Sequence, residues 1–174
     1  MTGRPSAQVR DFAREAIRLE IRGFEFFNQA AGMTHNALGQ KMFRHLAQQE
    51  IHHLEAFRKL FAESVSAEEW KKTVREEEAA GRSAVIEDLV ARMKRAEGKG
   101  EIEAIRIGME LELKAIEFFK GCAAAGDDPA AKDIFVTIAD EERYHYDLLQ
   151  AQYDSVTGTG YWLDSAEFQM DGKY

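Results

Sequence analysis

The 174-residue chain contains one cysteine and two prolines. The single thiol, Cys122, excludes a disulfide framework and a cysteine-rich metal site, and its apolar helical surroundings predict a small buried residue. No stretch approaches about 18 uncharged apolar residues, so we expect no membrane span and no membrane partner. The N-terminal "MTGRPSAQVRDF" lacks the apolar core of a signal peptide, which predicts a cytoplasmic protein.

Positive charge is scarce as well. The chain has 23 lysines and arginines against 31 aspartates and glutamates, and its formal net charge is −8. A nucleic-acid partner would need a concentrated basic face, so we expect no nucleic-acid binding. Hydrophobic residues make up 45% of the chain, which together with the scarcity of proline predicts one folded, helix-rich domain.

Four long segments have helical periodicity, at about residues 6–31, 34–63, 101–125 and 129–156. Asp128 can cap the last of them, with Pro129 at its first helical position. The connections within the first pair and within the second pair are short. Each pair is therefore expected to form an antiparallel hairpin.

A crossover of about residues 64–100 joins the two hairpins. Ser66 and Glu69 fit a capping box, and "SAVIEDLVARM" predicts a short amphipathic helix there. The expected fold class is all-α, a four-helix bundle with one long crossover. We assign residues 1–157 to the bundle and 158–174 to an aromatic tail, which is expected to pack on the bundle or on a partner subunit.

The two halves of the chain repeat each other. Three pairs of ionisable residues recur at an offset of 92 positions: Glu20 with Glu112, Glu50 with Glu142, and His53 with His145. Around the first pair, "EIRGFEFF" at 20–27 matches "ELKAIEFF" at 112–119. Each half therefore carries a glutamate followed by a Glu-x-x-His motif, which indicates that the hairpins are copies of one unit.

These residues lie on the faces that should be apolar. Residues three apart on a helix are separated by roughly 60°, so the glutamate and histidine of each motif project together. Glu112 occupies a slot in an otherwise apolar row of Ile105, Met109, Ile116, Phe119 and Ala123. The other three segments place their motif residues in similar rows, so all four helices are predicted to aim ionisable side chains into the core.

Four carboxylates in an apolar interior need compensation, because each is costly to bury and together they repel. Two histidines do not neutralise them, whereas two divalent cations do. An oxygen-rich pocket with one nitrogen per metal suits iron or manganese, and it matches the ligand pattern of dinuclear carboxylate bundles. We predict two iron ions, with manganese or zinc as substitutes. The predicted metal ligands are Glu20, Glu50, His53, Glu112, Glu142 and His145.

The remaining polar candidates are expected outside this site. His52 projects about 200° from Glu50, and His35 and His45 are predicted at the surface or at helix ends. Glu25 and Glu117 fall outside the ligand row.

Small and aromatic residues next to the predicted ligands are expected to shape a pocket. Gly23 and Ala115 each follow a ligand glutamate by three positions, so they can leave room for a substrate. Phe27 and Phe119 are predicted to be core residues that also wall the pocket.

The motifs resemble the rubrerythrin branch of the ferritin-like superfamily. Four stretches carry the likeness and together span most of the chain: "AIRLEIRGFEFF", "LAQQEIHHLEAF", "AIRIGMELELKAIEFF" and "IADEERYHYDLL". The resemblance implies a ferritin-like four-helix bundle with a dinuclear iron centre, whose ligands would be the six residues named above.

Three features depart from rubrerythrins proper. Ala115 stands where they carry an additional carboxylate, and Phe27 and Phe119 stand where they place tyrosines near the metals. With one cysteine, the sequence cannot form their rubredoxin domain, so a separate electron-donor protein is expected. The chain is more similar to the short, rubredoxin-free members.

The resemblance implies a non-haem di-iron oxidoreductase that reduces hydrogen peroxide or dioxygen, with no catalytic residue beyond the metal ligands. An alternative is a ferritin-like iron-binding ferroxidase for iron handling or storage. A third is a structural bundle that the metal only stabilises. The amphipathic crossover and the tail "YWLDSAEF" offer apolar surface with no place in one bundle, which predicts a homodimer.

Overall fold

The computed structural model describes residues 7–62, 65–96, 99–126 and 129–164. Within these ranges the chain forms helices and no β-strand, which confirms the all-α prediction. The five helices are α1 (Ala7–Met33), α2 (Ala37–Leu60), α3 (Ala67–Arg95), α4 (Gly100–Ala125) and α5 (Pro129–Thr159). No helix in the described ranges is both long and apolar enough to cross a membrane.

Four of the helices form the bundle. α1 packs on α2 and α4 packs on α5 as two hairpins, and the hairpins meet through α1 with α4 and α2 with α5. The helix ends keep the offset of the sequence repeat. Met33 and Ala125 end α1 and α4, and Ala37 and Pro129 begin α2 and α5. The repeat in the sequence therefore corresponds to two helical hairpins with equivalent helix boundaries.

The turn between α1 and α2 is fixed by a side-chain cap. The Asn36 side-chain oxygen accepts hydrogen bonds from the backbone N–H groups of Leu38 (2.9 Å) and Gly39 (3.3 Å). Because these N–H groups have no partner within the helix, the cap defines where α2 begins. The corresponding predicted cap of α5, Asp128, lies outside the described residues.

The crossover differs from the prediction of a short helix. It is one helix, α3, of 29 residues that begins at its cap Ser66, whose hydroxyl accepts from the Glu69 N–H at 3.1 Å. The segment is rich in Glu, Ala, Lys and Arg, which favour helix throughout, and Gly81 alone is too weak a breaker to divide it. In a capping box the Glu69 carboxylate would accept a hydrogen bond from the Ser66 backbone N–H. Here that carboxylate pairs instead with Arg14 of α1, at 3.3 Å.

α3 lies against α1 and α4 on the outside of the bundle. Trp70 and Leu89, which are 9% and 0% exposed, anchor its two ends in the core. Arg18 of α1 binds Glu77 through two hydrogen bonds of 2.9 and 3.0 Å. The crossover thus covers the face where the two hairpins meet.

The core consists of two apolar clusters. One contains the stacked rings of Phe57 and Phe119, whose centroids are 5.2 Å apart. The other contains Phe27 stacked on Phe43 at 6.3 Å. Along α2, α4 and α5 the buried Glu50, Glu112 and Glu142 fall between these clusters in the sequence, and Glu20 of α1 lies near the end of the first cluster. The polar residues therefore form a layer enclosed by apolar packing.

The described end of the tail packs on its own bundle. Trp162 is 9% exposed and lies edge-on to Phe43, with ring centroids 6.3 Å apart. Gln152 of α5 exchanges two hydrogen bonds with the backbone of Leu163, at 2.8 and 3.0 Å. Residues 165–174 of the predicted tail lie outside the described residues.

Cys122 is buried, at 2% exposure, and burial raises the pKa of its thiol to about 12. The thiolate is the nucleophile in alkylation. We therefore expect iodoacetamide at pH 8 to modify the native protein at least about 100-fold more slowly than the urea-unfolded protein. Mass spectrometry of quenched samples measures this ratio, and equal rates in the two states would contradict the buried placement.

Candidate metal centre

All six predicted ligands lie in the interior of the bundle. Glu20 and Glu112 are 1% and 2% exposed, and none of the other four exceeds 3%. Four helices therefore deliver ionisable side chains to one buried layer, as the apolar rows in the sequence predict.

The donor atoms of this six-residue cluster fall into two overlapping groups, within each of which they lie no more than 4.8 Å apart. The groups are Glu20, Glu50, His53 and Glu142, and Glu50, Glu112, Glu142 and His145. Glu50 and Glu142, the glutamates of the two Glu-x-x-His motifs, belong to both. They stand where carboxylates could bridge two ions, with one further Glu–His pair on each side.

Both histidines direct Nδ1 into the cluster. His53 Nδ1 lies 3.1 Å from Oε2 of Glu20 and 3.2 Å from Oε1 of Glu142. His145 Nδ1 lies 2.9 Å from Oε2 of Glu142 and 3.5 Å from Oε1 of Glu112. The two rings are 5.7 Å apart between centroids and inclined by 22°. This spacing lets each imidazole serve one of two neighbouring ions.

Four buried oxygens in the cluster accept no well-aligned hydrogen bond from the described residues, although His53 Nδ1 lies 3.2 Å from one of them, Oε1 of Glu142. They are the Oε1 atoms of Glu20, Glu50, Glu112 and Glu142, one from each bundle helix. A buried carboxylate oxygen without a donor is costly, and native proteins rarely leave one. Four such atoms in one layer, beside two imidazoles, fit the donor set of a dinuclear metal site.

The pKa shifts of the four glutamates also favour nearby positive charge. Burial, reinforced by neighbouring carboxylates, raises the pKa of Glu50 and Glu112 well above the usual range, and burial raises that of Glu20. Burial opposes the charged form of Glu142 too, but the adjacent imidazoles of His145 and His53 outweigh it and lower its pKa. Burial thus disfavours the charged form of three of the four carboxyl groups, and nearby cations would favour it.

Glu141 orients one of the histidines, a role that the sequence patterns do not indicate. Its Oε2 lies 2.8 Å from Nε2 of His53, and its side chain is 50% exposed. The hydrogen bond lowers the pKa of Glu141. A carboxylate on the outer ring nitrogen fixes the tautomer that leaves Nδ1 free to bind a metal. The sequence repeat does not indicate this role, because the residue that corresponds to Glu141 in the first half is Gln49.

Glu141→Ala is expected to weaken metal affinity by roughly 10–100-fold, the usual cost of losing a carboxylate behind a metal-binding histidine. Glu141→Gln keeps a hydrogen-bond acceptor and should retain more of the affinity. Competition with a chromophoric chelator measures the affinities, with Asp140→Ala, an exposed neighbour on the same helix, as the control. Equal affinities for Glu141→Ala and the control would show that Glu141 does not orient the site.

Comparison with protein families matches residues 11–153 to the rubrerythrin family. The chain belongs to this family. No curated protein and no solved structure matches the chain significantly. The matched region contains all six residues of the cluster, and a buried carboxylate–histidine cluster in a rubrerythrin is compatible with a di-iron site.

A cleft of about 280 Å³ between α1 and α4 leads to the cluster of this rubrerythrin. Glu50 and Glu112 of the cluster line it, and so do Gly23 and Ala115. No tyrosine is among the described residues that line it. Of the two predicted phenylalanine walls, Phe27 lines the cleft. Phe119 packs instead in the aromatic stack of the first apolar cluster.

Gly23 also allows Glu50 to approach α1. A Cβ at position 23 would lie 2.6 Å from Oε2 and 2.8 Å from Cδ of Glu50. Both distances are shorter than a non-bonded contact allows, so any side chain at position 23 would displace the carboxylate shared by the two groups.

Gly23→Ala is therefore expected to weaken metal affinity by about tenfold or more, because small misplacements of a reacting group are costly. The metal-free protein should be as stable as the wild type or slightly more so, since Ala favours a helix over Gly by about 1 kcal/mol. Gly121→Ala is the matched control, because a Cβ at that position of α4 meets nothing within 4 Å. Unchanged affinity in Gly23→Ala would show that Glu50 tolerates displacement.

The other polar candidates lie outside the cluster. His35, His52 and Glu117 are exposed, and His45 is half-buried. Glu25 is buried at 7% exposure, but it does not belong to either donor group. The sequence pattern therefore distinguishes the six residues of the cluster from the remaining histidines and from Glu25 and Glu117.

Proposed function

We propose that the six-residue cluster binds two iron ions and that the protein is a rubrerythrin-type oxidoreductase, which reduces hydrogen peroxide or dioxygen with electrons from a separate donor protein. The observation that carries the proposal is the set of four buried Oε1 atoms, one from each bundle helix, that accept no well-aligned hydrogen bond from the described residues. The two overlapping donor groups support a pair of ions over a single one.

The residues of the chain have separable roles in this proposal. Glu50 and Glu142 would bridge the two sites, Glu20 with His53 would complete one, and Glu112 with His145 the other. Glu141 holds the His53 ring in place through Nε2. A bound pair of ferrous ions would supply the two electrons that cleave an O–O bond.

The surroundings of the cluster control access and water. The two apolar clusters enclose the polar layer, and the cleft between α1 and α4 is the route by which an oxidant would reach Glu50 and Glu112. The absence of a tyrosine from the described cleft lining means that no phenol there would be oxidised in competition with the substrate.

Anaerobic stopped-flow absorbance tests the proposal. Protein loaded with two ferrous ions and mixed with hydrogen peroxide should oxidise within seconds, and it should turn over when a reduced donor protein is supplied. Oxidation no faster than that of free ferrous ion would overturn the proposal. Rapid oxidation by dioxygen, with ferric iron released and no donor-dependent turnover, would instead favour the iron-handling alternative.

A further inference from the structure

The cleft between α1 and α4 is larger than hydrogen peroxide or dioxygen requires. Its volume is about 280 Å³, whereas a water molecule occupies about 30 Å³ of the liquid and a cavity of about 150 Å³ is enough to bind benzene. Pockets for organic ligands begin at about 300 Å³. The space beside Glu50 and Glu112 is therefore that of an organic molecule.

Apolar residues of α1 and α4 form part of the lining of the cleft. Leu19 and Phe27 of α1 face Ile107, Leu111 and Ala115 of α4. Phe27, Ile107 and Ala115 are buried, at 0%, 4% and 8% exposure, so these walls belong to the core and keep a fixed shape. An apolar body would gain free energy by leaving water for this space.

Besides Glu50 and Glu112, four charged residues line the cleft, and they are two acids and two bases: Asp88, Glu110, Arg22 and Lys114. Arg92 binds Glu110 through two hydrogen bonds of 2.8 and 2.9 Å and lies 3.8 Å from Asp88. These two acids line the cleft, and Arg92 offsets their charge. An apolar ligand can therefore enter without having to desolvate an uncompensated carboxylate at the mouth.

We propose that the cleft is a binding site for an apolar organic hydroperoxide, with the O–OH end at Glu50 and Glu112 and the hydrocarbon body between α1 and α4. This assignment rests on the proposed function and names a substrate class for it. The reaction takes the hydroperoxide, two protons from solvent and two electrons to the alcohol and water, and it breaks the O–O bond. The electrons come from a one-electron donor protein in two transfers.

Binding is tested without turnover by using the product alcohol. Isothermal titration of the wild-type protein with 2-phenyl-2-propanol, the alcohol from cumene hydroperoxide, should show saturable one-to-one binding. Ala115→Phe fills the cleft and is expected to weaken binding at least tenfold. Leu19→Trp narrows the same cleft from the α1 side, at a half-buried position that tolerates substitution more readily, and should act in the same direction.

Val136→Phe on α5 is the control, because Val136 is 44% exposed and does not line the cleft. Absence of saturable binding to wild type would overturn the inference, and so would binding that neither cleft variant weakens. Loss of binding in both cleft variants with retention in the control would support it.

Parallel assays with hydrogen peroxide and cumene hydroperoxide separate the two claims. Reduction of hydrogen peroxide without binding of the alcohol overturns only the inference about the cleft. No reduction of either peroxide overturns the proposed function and with it the assignment of the cleft as a substrate site. Reduction of both, with cumene hydroperoxide selectively impaired by Ala115→Phe, supports both.

Discussion

Replacing Glu50 with alanine is expected to remove both metal ions, whereas replacing Glu112 with alanine should leave about one per chain. The difference follows from the geometry, because Glu50 belongs to both donor groups and Glu112 to one. Loss of the shared carboxylate leaves each ion with too few ligands, and loss of Glu112 disrupts one group only. Peroxide reduction should fall by at least about 100-fold in Glu50→Ala, since losing even an indirect partner of a metal ligand costs roughly 10–100-fold.

Metal analysis after anaerobic ferrous loading and desalting measures the stoichiometry. Glu55→Ala and Glu117→Ala are matched controls, because both residues are exposed glutamates on the same helices as Glu50 and Glu112, and both should bind as wild type does. Equal residual metal in Glu50→Ala and Glu112→Ala would show that Glu50 does not bridge.

Metal removal is expected to destabilise the folded protein strongly. When the free metal concentration is about 1,000 times the dissociation constant, one bound ion adds about 4 kcal/mol to the free energy of unfolding. A chelator removes this contribution and leaves the buried carboxylates to repel one another. Urea unfolding followed by circular dichroism, with and without chelator, measures the difference.

Glu112→Gln is expected to change the free energy of unfolding in opposite directions in the metal-free and the metal-loaded protein. The substitution replaces a carboxyl group whose charged form burial and Glu142 both disfavour with a neutral amide, so the metal-free variant is expected to be more stable than metal-free wild type by about 1–3 kcal/mol. In the presence of metal the variant should be the less stable of the two. A variant less stable than wild type in both states would mean that Glu112 contributes to the fold independently of metal.

The six-residue buried cluster could be predicted from the sequence because burial and charge conflict there. A glutamate in an apolar helical row is anomalous, and its recurrence at a fixed offset makes coincidence a poor explanation. The structure buries all six residues together for the same reason. The two hairpins were predictable as well, because the turn signals at 34–36 and around Pro129 divide segments of clear periodicity.

Features that depend on contacts between distant segments were not predictable in this way. The local pattern of "SAVIEDLVARM" indicates a short helix, but good helix formers upstream extend α3 back to Ser66. Glu141 has no periodic signal, since its role depends on how α5 packs against His53 of α2. The cleft depends on how α1 packs beside α4, two helices that are distant in the sequence, and local sequence patterns do not indicate that spacing.

The central claim is that these buried carboxylates and imidazoles hold a pair of cations, and anomalous X-ray diffraction from crystals grown with ferrous iron tests it most directly. The account predicts two anomalous peaks about 3.5–4 Å apart, flanked by Glu50 and Glu142, with one peak beside each histidine Nδ1. A single peak, or peaks only at the protein surface while the four Oε1 atoms take hydrogen bonds from ordered water, would contradict it.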